Sequence, residues 1–161
     1  YAAMAGLVFT PELYCAGINY VGVVDINGVI PKAVAPDRMY WMNTRLGDVN
    51  NAADRKRIHD TSPVHFVDRI RVPLLMAYGR NDPRVKVDQA YDIESAMKKT
   101  GKPFEFVIEN NEGHGFHTEE KRVAFYKKID RFLSTAVPGM VATTKLGPLE
   151  VLPEPAKGTG P

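Results

Sequence analysis

The sequence predicts an α/β fold in three layers, a mostly parallel sheet with helices on its faces. Three observations carry this. Leu74-Leu75-Met76-Ala77-Tyr78 is a short apolar run that follows Pro73 and closes on Gly79-Arg80-Asn81-Asp82-Pro83, as a strand buried on both faces would. Phe104-Glu105-Phe106-Val107-Ile108 is a second run, rich in aromatic and β-branched residues. Between the two runs, and again after Thr118, apolar residues recur at helical spacing. Strands that alternate with helices in this way build parallel crossovers.

Taken in order, residues 1 to 9 are small and apolar, which suits a helix packed on all sides, and Pro11 enforces its end. Ala16 to Val24 includes Ile18, Tyr20, Val21, Val23 and Val24 and reads as a buried strand. From Asn27 to Val67 there is no long period. Short helices are predicted over Asp37–Met42, with Met39, Tyr40 and Met42 partly inward, and over Ala52–Ile58. Tyr40 and Trp41 are read as packing a helix on the sheet, with a roof over a substrate cleft as the alternative. After Asp82 a helix is expected from about Lys86 to Lys99, with Ala90, Ile93 and Met97 inward, ended by Thr100-Gly101. The last helix is expected from about Thr118, its cap, to Ser134, with Val123, Tyr126, Ile129 and Leu133 as the buried stripe. Beyond it the composition shifts to proline and glycine. The chain is therefore divided into one domain over 1–136 and an extended arm over 137–161, with at most a short strand at Leu149–Leu152.

Composition narrows the functional classes. A chain of 161 residues with 44% hydrophobic and 25% charged residues is ordinary globular material, and a net charge of +2 is only mildly basic. The densest basic cluster, Arg55-Lys56-Arg57, lies between Asp54 and Asp60 and reads as a solvated helix face rather than a nucleic-acid patch. No apolar run approaches membrane-spanning length. Cys15 is the single cysteine, so neither an internal disulfide nor a thiolate metal site is available, and its apolar neighbourhood predicts a buried, inert thiol. His59 and His65 are read as surface or core histidines without a role.

The chemistry concentrates at two strand ends. Asp82 follows the first apolar run, and His114 follows the second within Glu112-Gly113-His114-Gly115-Phe116. A histidine that takes a proton from a nucleophile needs a fixed tautomer and orientation, and a carboxylate bonded to its other ring nitrogen supplies both. Loops beyond the carboxyl ends of parallel strands are where such side chains converge. Their separation of thirty-two residues leaves room for one loop, one helix and one strand. Metal binding through His114, His117, Glu112 and Glu119 is not favoured, because Gly113 and Gly115 argue against a helix through His114 and no HExxH pattern exists.

Three stretches together resemble the prolyl oligopeptidase (S9) family of serine peptidases, within the α/β-hydrolase superfamily. The opening Tyr1-Ala2-Ala3-Met4-Ala5-Gly6-Leu7-Val8-Phe9-Thr10-Pro11-Glu12-Leu13 is similar to the segment that follows that family's Gly-x-Ser-x-Gly-Gly nucleophile elbow. Gly79-x-x-Asp82-x-x-Val85 is similar to its acid motif and Glu112-Gly113-His114-Gly115-Phe116 to its histidine motif, and the likeness covers roughly residues 1 to 136. The resemblance implies an α/β-hydrolase fold in its carboxyl-terminal part, with Asp82 and His114 as catalytic acid and base. It implies peptide substrates and no cofactor. Val21 and Val85, and less directly Val24, would line the substrate pocket; plain core packing is the other reading of these valines.

The departure from the family pattern is the nucleophile. Only Ser62, Ser95 and Ser134 occur, none with glycines two residues to either side, so the elbow serine is expected to lie before Tyr1 in a longer hydrolase. The chain alone is then expected not to hydrolyse peptides or esters. Its Ile18–Val23 strand would have a free edge, covered by upstream residues of the same protein, by the Pro-rich arm or by a second copy. A carboxylesterase-like hydrolase using the same residues, or a noncatalytic interaction module, remains as the alternative.

Overall fold

The computed structural model describes residues 1–29 and 36–137. Three strands, β1 (Gly17–Tyr20), β2 (Leu74–Gly79) and β3 (Glu105–Glu109), form one sheet in the order β1-β2-β3. Both pairings are parallel, with Gly17 opposite Leu74 and Leu75 opposite Glu105. Helix α4 (Val87–Thr100) makes the β2–β3 crossover. Among the described residues β1 has a strand on one side only.

Every residue of β2 is buried, and the period of two explains how. Leu74, Met76 and Tyr78 point to one face. There they meet Met4, Leu7 and Val8 of α1 (Ala2–Phe9) and Ala90, Ile93 and Met97 of α4, the three positions that periodicity placed inward. Leu75 and Ala77 point to the other face, onto Phe125 and Phe132 of α5 (Glu119–Ala136). These are the three layers that the sequence predicts. Gly101, at φ +69°, ends α4 in the left-handed conformation that glycine tolerates.

Several sequence expectations need correction. Helix α1, expected to be packed on all sides, buries Met4, Leu7 and Val8 but leaves Ala2, Ala3 and Phe9 exposed. The strand predicted over Ala16–Val24 ends at Tyr20, because Val21 turns out of it at φ +49° while its amide donates to the Ala77 carbonyl at 2.8 Å. The turn is held from across the sheet: Asn19 Nδ2 donates to Tyr78 Oη at 2.7 Å, and that hydroxyl donates to the Gly22 carbonyl at 3.2 Å. In α5 the buried stripe is rotated. Val123 and Tyr126 are exposed, whereas Phe125 is buried, its ring 4.7 Å from that of Tyr20 and 5.1 Å from that of Phe116. Cys15 is exposed, because Leu13 and Tyr14, the apolar neighbours that suggested burial, face outward themselves. Tyr40 is also exposed, on α2 (Pro36–Leu46), whose Met42 packs instead against Ile58 of α3 (Ala52–Asp60). The side chain of Trp41, and any structure in 138–161, lie outside the described residues.

Candidate active site

Beyond Gly79 the chain turns, and Asp82 folds its side chain back under the turn. Oδ1 accepts the amides of Arg84 and Val85 at 2.7 and 2.9 Å. Oδ2 is left for His114, whose Nδ1 lies 2.8 Å away. One carboxylate oxygen thus fixes the acid to its own loop and the other reaches across to the histidine. The Asp82 side chain is 1% exposed and that of His114 34% exposed, so the pair is rooted in the protein and open on one side. A carboxylate on Nδ1–H leaves the lone pair on Nε2. That nitrogen has no hydrogen-bond partner among the described residues.

The His114 loop is fastened at several points. Arg80 and Asn81 donate their amides to the carbonyls of Glu109 and Glu112 at 3.0 and 2.9 Å, which ties it to the Asp82 loop. The Gly115 amide donates to the Gly113 carbonyl at 2.9 Å, placing His114 at the centre of a three-residue turn. Gly115 needs its backbone freedom, at φ +107°; Gly113 has no positive φ. The Phe116 amide donates to Tyr20 Oη, beyond the end of β1. Glu112 is buried, and its carboxyl is held down at about 2, above all by the His117 amide and then by the His117 ring and Thr118, against the opposing effect of burial. Thr118 stands at the expected cap position of α5 but makes no side-chain cap bond; its hydroxyl donates to Glu112 Oε1 at 3.2 Å.

Val21 and Val85 occupy different settings. Val85 is buried in the main core with Val24, while Val21 is half-buried in the turn after β1. An apolar cavity of about 390 Å³ lies just beyond Val21 in the chain, lined by Val23, Ile26, Val29 and Leu46 together with Arg45 and Arg57, with neither Val21 nor Val85 in its wall. Part of its wall is the segment leaving the carboxyl end of β1, the same edge of the sheet from which the Asp82 and His114 loops leave, and the rest comes from Tyr1, α2 and α3. Gln89 of α4 pins that segment. Its Oε1 accepts the amides of Val24 and Asp25, and its Nε2 donates to the Asp25 carbonyl, all at 2.8 Å. Sequence reasoning named Glu112 within the histidine motif and as a disfavoured metal ligand but missed its burial and its bonds to His117 and Thr118, and it missed Gln89 and this wall. Gln89→Leu strands two amides and a carbonyl, and is expected to destabilise the protein by about 2–4 kcal/mol, measured by urea unfolding.

A larger cavity, about 740 Å³, lies along α4 and the turn over Pro63–Arg69, with His65, Asp68, Asp92 and Lys99 in its wall and neither Asp82 nor His114. His59 and His65 stack on the surface with ring centroids 4.1 Å apart. Ser62 is fully buried, its hydroxyl donating to the Ile58 carbonyl at 2.7 Å, and Ser134 donates to the Asp130 carbonyl within α5. Among the described residues no group of three or more His, Cys, Asp or Glu is arranged to hold a metal ion.

Comparison with known proteins gives the family of the chain. The model of the prolyl oligopeptidase family, peptidase family S9, matches residues 1–139. The chain belongs to this family. Dipeptidyl aminopeptidase BIII of Pseudoxanthomonas mexicana is 34% identical over 145 residues, covering 86% of this chain and 20% of the relative. Dipeptidyl peptidase family member 6 of Caenorhabditis elegans is 27% identical over 146 residues, covering 86% and 19%. This family member therefore spans about a fifth of the length of these curated relatives. The crystal structure of a puromycin hydrolase superposes with a TM-score of 0.69 at 26% identity, covering 82% of this chain and 20% of that one. The fold is that of an α/β-hydrolase of this family, seen over its parallel sheet and flanking helices.

Proposed function

We propose that this chain carries the acid and base of a serine peptidase site that cleaves short peptides by acyl transfer. The observation that carries the reading is the contact of 2.8 Å between Asp82 Oδ2 and His114 Nδ1, with Nε2 unpartnered, at the carboxyl edge of a parallel sheet. In this reading His114 accepts the proton of a serine hydroxyl through Nε2 as the serine attacks the carbonyl carbon. The imidazolium then gives that proton to the leaving amine, and Asp82 holds the ring and stabilises its charge. Water repeats the cycle on the acyl-enzyme. The serine comes from a Gly-x-Ser-x-Gly-Gly elbow outside these residues, on a strand laid along the edge of β1 that has no strand beside it among the described residues, and the Val23–Val29 cavity takes an apolar substrate side chain. The relatives' names, a dipeptidyl aminopeptidase among them, favour peptides over esters.

The test is hydrolysis of dipeptidyl and acyl-aminoacyl p-nitroanilides against p-nitrophenyl esters by the full-length protein, with fluorophosphonate labelling of the 161-residue chain beside it. Amide hydrolysis by the former, and no adduct on Ser62, Ser95 or Ser134 of the latter, are expected. Turnover of esters alone would favour an esterase. Stoichiometric labelling of one of these three serines, abolished by His114→Ala, would overturn the account of the nucleophile.

A further inference from the structure

Glu112 is a carboxylate with 2% exposure, a position that needs a reason. Its obvious charged partners do not supply one. The His117 ring is 3.3 Å from Oε2 but its side chain is 72% exposed, and Lys121 Nζ stands 3.7 Å from Oε1. The short contact is to the main chain, where Oε2 accepts the His117 amide at 2.8 Å. That bond joins residue 112 to residue 117 and closes the intervening segment into a ring with His114 on it. The same residue's own carbonyl accepts the Asn81 amide at 2.9 Å, one residue before Asp82. The carboxylate therefore closes the histidine loop, and the carbonyl docks that loop on the acid loop.

We propose that Glu112 is a positioning residue for His114: it presets the loop geometry that lets Asp82 reach Nδ1 before any substrate arrives. The inference rests on the reading of His114 as the base. Without the bond to His117 the loop keeps the turn over Gly113–Gly115, the Asn81–Glu112 backbone bond and the Phe116 bond to Tyr20 Oη, but its far end at residue 117 is released from residue 112, and His114 samples positions from which Nε2 misses the nucleophile. Misplacement of a reacting group by about 1 Å costs on the order of 10²-fold.

Glu112→Met keeps the length of the side chain and removes the acceptor of the His117 amide. In the serine peptidase of the proposed function it is expected to lower kcat by about ten- to a hundredfold with KM within about twofold, because the cavity wall is elsewhere. In the 161-residue chain, the downfield Nδ1–H resonance of His114, assigned by its loss in Asp82→Asn, should broaden or vanish while core amides keep their protection. His117→Ala removes the exposed ring but keeps the amide, and should leave kcat near wild type. Wild-type kcat and resonance in Glu112→Met overturn the proposal, as does an equal loss in His117→Ala. If Glu112→Met does not fold, Glu112→Asp, whose carboxylate falls one methylene short of the His117 amide, should lower kcat a few-fold at unchanged KM, and no change there overturns the proposal. His114→Ala separates the two levels. If it retains kcat, the reading of the base fails; if it abolishes kcat while Glu112→Met does not, only the role of Glu112 fails.

Discussion

On the proposed function, His114→Ala in the peptidase that carries the elbow serine is expected to lower kcat by about 10⁴-fold or more, with little change in KM, because the serine would lose its proton acceptor and the amine its donor. Asp82→Asn should cost a comparable amount, and the structure gives the reason. The amides of Arg84 and Val85 both point at Oδ1 and require an acceptor there, so the asparagine oxygen takes that place and its NH₂ faces His114. Nδ1 must then accept, the proton moves to Nε2, and the base is presented in the wrong tautomer. The turn itself keeps its bonds, so thermal unfolding of the asparagine variant should lie close to wild type. Steady-state kinetics on a peptide p-nitroanilide checks both variants. A kcat within about threefold of wild type for either would remove that residue from the mechanism.

Gly79→Ala should be the most damaging small substitution in the fold. A Cβ at this position would stand 2.1 Å from the Gly113 carbonyl oxygen and 2.5 Å from that of Glu112, and both atoms are backbone. β2 is buried on both faces and cannot retreat, so the His114 loop must move and the Asn81–Glu112 bond breaks with it. A loss of about 3 kcal/mol in stability and on the order of 10² in kcat is expected. Gly113→Ala is the contrast. Its nearest contact would be the His117 ring at 3.6 Å, ordinary van der Waals distance, so it should fold and turn over near wild type. Urea unfolding of the two variants side by side is the measurement; similar midpoints would mean the close approach at Gly79 relaxes freely.

Much of this was legible in the chain because it was written locally. β2 and β3 declared themselves by apolar runs, α4 by its stripe, and Asp82 and His114 by their place just past those runs. What was not legible depended on distant partners. The valines after Tyr20 continue a strand pattern, but the chain turns there because Ala77 and Tyr78 hold it from the neighbouring strand. The stripe of α5 rotated toward Phe125 because Tyr20 and Phe116 complete an aromatic cluster that no helical period contains. Glu112, in an Asn-Asn-Glu-Gly stretch, has the composition of a solvated turn. It is buried because the chain returns at His117 with an amide to bond.

Asp82 and His114 both stand on β2–α4–β3, a contiguous stretch whose members are close in sequence, whereas β1 and the cavity wall join it across more than fifty residues. Contacts of short sequence separation form early and survive fraying elsewhere. In the proposed reading the two proton-handling residues are therefore one inheritable cassette, able to keep its geometry while the segment after β1 drifts. On that reading, substrate preference could diversify on this scaffold without the Asp82–His114 pair being rebuilt each time.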